Sequence, residues 1–124
     1  MKNQWIATGA ILAMLAVAIG AFGAHGLEGS ITDNMLENYH TGVQYHMFHA
    51  LGILVVGIII GITGSSKLLQ VSATLLFIGI LIFSGSLYIM ALTNMTWLGA
   101  VTPIGGVSFI IGWLCLTFAT LKGR

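Results

Sequence analysis

Ala50-Leu51-Gly52-Ile53-Leu54-Val55-Val56-Gly57-Ile58-Ile59-Ile60-Gly61-Ile62 contains no side chain that can hydrogen-bond. Beyond the short turn Thr63-Gly64-Ser65-Ser66-Lys67 a second apolar block follows at once. A run that is hydrophobic all round is either the core of a large protein or a segment dissolved in lipid. The chain is too small for the first. It has 124 residues, 57% of them hydrophobic and 6% charged, with a mean hydropathy of +1.02. A soluble domain covers its surface with about 25% charged residues. This chain cannot, so the run reads as a membrane span.

Working outward, the span extends back to about Thr41, and the block after the turn covers about 69–92. Two more blocks, about 5–24 and 100–121, complete the set. Each is long enough to cross a hydrocarbon core of ~30 Å at ~1.5 Å per residue. The expected fold is a single all-α membrane domain over residues 1–124, an antiparallel four-transmembrane-helix bundle, since short turns force neighbours to alternate. The first block has the outline of a cleaved signal peptide, with Lys2 ahead of Trp5–Phe22 and Gly23-Ala24 behind. Its apolar run exceeds the usual ~7–15 residues and three spans follow, so a retained helix is expected.

The connection Leu27–Asn38 holds all three acids, Glu28, Asp33 and Glu37. Ser30 and Thr32 can cap a helix start, and Ile31, Met35, Leu36 and Tyr39 recur at helical spacing. A short interfacial helix feeding the second span is expected there. The basic residues Lys2, Lys67, Lys122 and Arg124 all fall on one side of the membrane, which by the positive-inside rule is the cytoplasm. Both termini are therefore expected inside. Gly9-x-x-x-Ala13 and Gly57-x-x-x-Gly61 permit close backbone approach, within one chain or between chains. A homo-oligomer is expected, because four thin helices bury little surface.

Polar side chains are unevenly distributed in depth. His46 and His49 fall in the outer half of the second span, and Ser84, Ser86 and Tyr88 in the outer half of the third. Thr102, Pro103, Gly105, Gly106 and Ser108 fall in the outer half of the fourth, and His25 closes the first. The inner halves are nearly all apolar. Polar groups in hydrocarbon must pair or line a wet cavity. Tyr45 and His49 share a helix face, as do Ser84 and Tyr88. A small outward-facing polar pocket is the expected consequence.

Several chemistries fit poorly. The net charge of +1 gives no reason to expect nucleic acid. The single cysteine, Cys115, rules out a disulfide framework and a cysteine-rich metal site. Four histidines, His25, His40, His46 and His49, gather at one surface near Met35, Met47, Met90 and Met95, and such ligands suit copper or haem iron. They match no metal-ligand spacing, and the simpler reading is hydrogen bonding across helices. No cofactor or metal is expected. No span carries a mid-membrane carboxylate, which argues against ion-coupled transport, although a histidine relay stays open. Ser84 or Ser86 with His49 lacks an orienting acid, so catalysis is not expected. The acidic connection reads as solvated rather than as a cation site.

Four segments resemble one known family: Gly20-Ala21-Phe22-Gly23-Ala24-His25-Gly26-Leu27, Tyr45-His46-Met47-Phe48-His49-Ala50-Leu51, Phe83-Ser84-Gly85-Ser86-Leu87-Tyr88, and Leu98–Gly106 with Gly112-Trp113 after it. Together they look like the YgdD/YwdK-like family of small, uncharacterised bacterial membrane proteins, which has relatives in animal mitochondria. The resemblance implies four helices in the bacterial cytoplasmic membrane and supplies no activity, substrate or cofactor. Its pattern covers His25, Tyr45, His49, Ser84, Ser86, Tyr88, Thr102 and Pro103, while His40 and His46 fall outside it.

These readings converge on a non-enzymatic multi-pass membrane protein. Its pocket, lined by His25, Tyr45, His49, Ser84, Ser86, Tyr88, Thr102 and Pro103, is expected to bind a small ligand or lipid head group. Partners are the bilayer, copies of the chain, or a membrane complex in which it serves as a structural subunit. A channel or carrier is the remaining alternative, and it requires a polar path through the apolar inner halves.

Overall fold

The computed structural model describes residues 3–122, all of whose regular structure is helical. Lys2 and Arg124, two of the four residues behind the expected orientation, lie outside the described residues. Helix α1 spans Gln4–Gly26, α2 Asp33–Thr63, α3 Lys67–Gly79, α4 Gly85–Thr93 and α5 Thr102–Leu121. A π-helical turn, Ile80–Ser84, joins α3 to α4 without a break, and a 3-10 turn, Thr96–Ala100, leads into α5. The four resulting segments are 23, 31, 27 and 26 residues long, all sufficient to cross a membrane.

Helix starts follow from short polar side chains that accept otherwise unpaired N–H groups. Asn3 accepts from Ile6, Thr32 from Met35 and Ser66 from Leu69. The expected separate interfacial helix does not form. From Asp33 the chain runs as one helix to Thr63, because no glycine interrupts it before Gly42 and the buried series Met35, Tyr39, Gly42, His46, His49 continues unbroken. At 1.5 Å per residue α2 is about 46 Å long, so its first turns, with Asp33 and Glu37, project beyond a ~30 Å core. Asn94, in the left-handed conformation at φ 60°, ends α4.

The helices pack in chain order. Near its start α1 meets the end of α2, where the Gly57 backbone lies against Trp5 and Ile6 and accepts a hydrogen bond from Asn3 Nδ2 at 2.8 Å. Gly9 lies against the backbone of Ala50 and Leu54, and Gly23 against the Tyr39 ring. The Gly9 and Gly57 faces thus meet each other within one chain. The third segment packs on both α2 and α5. Ser72 donates to the Gly112 carbonyl and Ser108 to the Leu75 carbonyl, both at 2.7 Å, and Gly105 approaches the Phe83 backbone.

Two apolar clusters fill the interior. One gathers Leu12, Ile53, Val56, Leu69, Leu76, Ile80 and Phe109; the other, toward the acidic connection, gathers Leu27, Met35, Tyr39, Leu87 and Met90. The surface is as apolar as the interior, with Val17, Phe22, Phe48, Ile62, Val107, Ile110 and Phe118 all more than half exposed. In water that surface would aggregate; in lipid it is the solvent-facing one.

Candidate functional site

Buried polar side chains concentrate on α2 and on the segment around the π turn: His46, His49, Ser72, Ser84 and Ser86. The π turn arranges them. It holds one residue more than an α-helical turn, which rotates everything after it by about 100° relative to a continuous α-helix. Ser84 and Tyr88, four apart, face α2, while Ser86 faces α5. Ser84 donates to the Gly42 carbonyl at 2.7 Å, fully buried. Ser86 shares a hydrogen bond with Thr102, whose hydroxyl also reaches the Leu98 carbonyl.

Tyr88 lies against Gly42, where an added Cβ would come within 2.9 Å of its ring, and its hydroxyl sits 2.8 Å from His46 Nδ1. His46 Nε2 is sealed in without a hydrogen-bond partner. The Leu12 backbone approaches this ring, but not in hydrogen-bonding geometry. The Nδ1 accepting from Tyr88 and Nε2 carrying the proton toward α1 is the arrangement that best satisfies both atoms. Tyr39, beside Tyr88 with ring centroids 5.3 Å apart, donates to the Ile19 carbonyl at 2.6 Å.

One turn along α2, His49 is set differently. Its Nδ1 lies 2.8 Å from the Tyr45 carbonyl, which can only accept, so Nδ1 carries a proton. In the neutral ring Nε2 is then a lone pair. It bonds to no described residue and, unlike His46 Nε2, is not sealed off. Around the ring stand aromatic walls: Phe109 stacks on it at 3.5 Å and 10°, Tyr45 at 6.0 Å and 8°, and Trp113 leans at 5.7 Å and 54°. Phe83 packs against both Tyr45 and Phe109. Glycines seat these rings. A Cβ on Gly79 would strike the Phe109 ring, and one on Gly52 would come within 2.8 Å of Trp113. Tyr45 and Trp113 are 40% and 39% exposed, so the box opens sideways toward lipid.

The eight residues singled out from sequence therefore fall into three contacts and two outliers. Ser84 and Tyr88 join the third segment to α2, Ser86 and Thr102 join it to the fourth, and Tyr45 with His49 faces α5. His25 is exposed in the last turn of α1, and Pro103 is exposed in the first turn of α5. Missing from that set were His46, Phe83, Phe109 and Trp113. Gly52 and Gly79 were the available signal, since each is matched to an aromatic ring on a neighbouring helix, while Gly105 admits the Phe83 backbone. Among the described residues, no three His, Cys, Asp or Glu side chains gather where one metal ion could be held.

Residues 19–106 match the family described as Protein of unknown function (DUF423). The chain is 52% identical to the UPF0382 membrane protein YwdK of Bacillus subtilis, over 95% of this chain and 96% of that one. It is 53% identical to the UPF0382 membrane protein SERP0230 of Staphylococcus epidermidis, over 95% of each. A further similar protein, SH2409 of Staphylococcus haemolyticus, is 48% identical over the same shares. No solved structure matches the chain. With four helices able to cross a membrane and relatives that are bacterial membrane proteins, this is a multi-pass protein of the bacterial cell membrane.

Proposed function

The chain belongs to the DUF423 family of unknown function, and from the geometry at His49 we propose that it is a non-enzymatic binding protein for a membrane-soluble ligand. The ligand carries a hydroxyl or N–H donor on an apolar body. The observation that carries this reading is the division of labour between the two nitrogens of His49. One is fixed by the Tyr45 carbonyl, and the other stays an unpaired acceptor inside an aromatic box. A polar atom left open at membrane depth is costly unless something meets it. Phe109, Tyr45 and Trp113 offer flat apolar walls for the rest of the ligand.

In this reading Ser84, Ser86, Tyr88 and Thr102 act as helix locks that position α2 against α5. His25 and Pro103 mark the rim. The helices run antiparallel, as the meeting of Ile6 with Gly57 and of Tyr39 with Gly23 supports. Both ends are cytoplasmic, which the placement of Lys67 and Lys122 opposite Glu28, Asp33 and Glu37 supports. The chain self-associates through its exposed apolar faces.

Native mass spectrometry of protein extracted in mild detergent, beside a His49→Ala variant, tests the reading. A discrete adduct on the wild type that the variant lacks is expected. Bare protein in both, copurifying with a stoichiometric membrane partner, would instead support a structural subunit. That second reading is favoured by how many buried hydroxyls are already spent on helix–helix hydrogen bonds.

A further inference from the structure

At the end of the molecule away from the acidic connection, the start of α3 and the end of α5 come together. Ser66, Lys67, Leu68, Ala119 and Lys122 line a cavity of about 210 Å³. Its walls are mostly carbon, supplied by Leu68, Ala119 and the lysine stems, while the two ammonium groups belong to the most polar side chains at its rim. Among the described residues neither lysine forms an ion pair, and the three acidic side chains, Glu28, Asp33 and Glu37, lie at the other end of the helices. Two cations on separate helices, without a counter-ion among the described residues, therefore share one small opening whose floor is apolar.

We propose that this cavity is a binding site for an anionic phospholipid. The phosphodiester lies between Lys67 and Lys122, and the glycerol and upper acyl carbons rest on Leu68 and Ala119. Charge complementarity selects an anion. The carbon-lined floor selects an amphiphile over a free phosphate, which would gain nothing from Leu68 or Ala119 and would lose hydration there. The site lies where the third and fourth membrane segments meet the water interface, which is the depth of a lipid phosphate. Lysines snorkel in this way, with the stem along apolar surface and the head at the interface. Each such cation near an anionic surface contributes on the order of a fivefold preference. This inference is independent of the His49 reading.

The test uses the full chain in nanodiscs of equal phosphatidylglycerol and phosphatidylcholine, released into the mass spectrometer as wild type, K67R/K122R and K67Q/K122Q. Wild type and the arginine variant are expected to retain phosphatidylglycerol about 25-fold over phosphatidylcholine, and the glutamine variant to lose that preference. Both positions are exposed, and matching helical circular dichroism checks that all three proteins fold. Equal retention by the glutamine variant, or no preference in the wild type, would overturn the proposal. So would a phosphate adduct replacing the lipid when millimolar inorganic phosphate is added, since the cavity would then take the free anion.

Discussion

The Phe109 ring lies 3.5 Å from the His49 imidazole and within 10° of parallel, and it can do so because residue 79 on the third segment has no side chain. Three helices meet in that contact. α5 supplies the ring, α2 the imidazole and α3 the gap.

Gly79→Ala should accordingly act at a distance. The new methyl strikes the Phe109 ring, and overpacking of this kind costs about 1–3 kcal/mol. The expected outcome is lower resistance to SDS-induced unfolding. Trp113 emission should also change, read in a W5F/W97F background, as Phe109 moves off His49. Unchanged emission would mean that Phe109 relaxes without disturbing the box.

The helix locks should differ in strength. Ser84→Ala removes one hydrogen bond to a carbonyl that already belongs to a helix, so a loss near the membrane average of about 0.6 kcal/mol is expected. Tyr88→Phe leaves His46 Nδ1 bare on a ring whose Nε2 already has no partner. A buried group stripped of its only hydrogen bond costs about 1–3 kcal/mol. Unfolding in mixed micelles should rank Tyr88→Phe above Ser84→Ala, and the reverse order would contradict the geometry.

Deleting Leu81, which is 56% exposed, should convert the π turn to α-helix and rotate α4 by about 100°. Ser86 would then no longer face Thr102. In a Cys115→Ser background, S86C/T102C should form a disulfide on mild oxidation in the full-length chain. The same pair in the deletion variant should not. Equal yields would show that the π turn does not set the register.

Topology can be read from labelling. A membrane-impermeant maleimide applied to intact cells should modify Glu28→Cys and not Ser65→Cys, both in the Cys115→Ser background. The opposite pattern would invert the orientation and place the Lys67 turn outside.

Much of this architecture was legible in the sequence. Uninterrupted runs such as Ala50–Ile62 leave a membrane helix as the sole home for the backbone polar groups, and Thr32 marks a helix start through side-chain chemistry that is local. The pairings Tyr45–His49 and Ser84–Tyr88 were legible too, because they are one helical turn apart. Contacts between helices were not. The π turn is invisible to a periodicity of 3.6, so which neighbouring helix Ser84 and Ser86 each meet could not be read from the residues before it. His46 and His49 looked like one face at three residues apart. Yet α2 is contacted on several sides, so one ring meets Tyr88 and the other Phe109. The continuity of α2 through His40 was hidden by the polarity of its first turns, which describes their solvent and not their conformation.

If the open nitrogen of His49 accepts a hydrogen bond from a ligand lodged against Trp113, a donor on that ligand must strengthen binding. The deciding measurement is a fluorescence titration of the Trp113-only protein in nanodiscs with 4-octylphenol and with its methyl ether. The two probes share an apolar body and differ in the donor. The phenol should bind severalfold more tightly, by about the 0.5–1.5 kcal/mol of one hydrogen bond, and His49→Ala should erase the difference. Equal binding of phenol and ether to the wild type would contradict that hydrogen bond, leaving His49 as one more lock between helices.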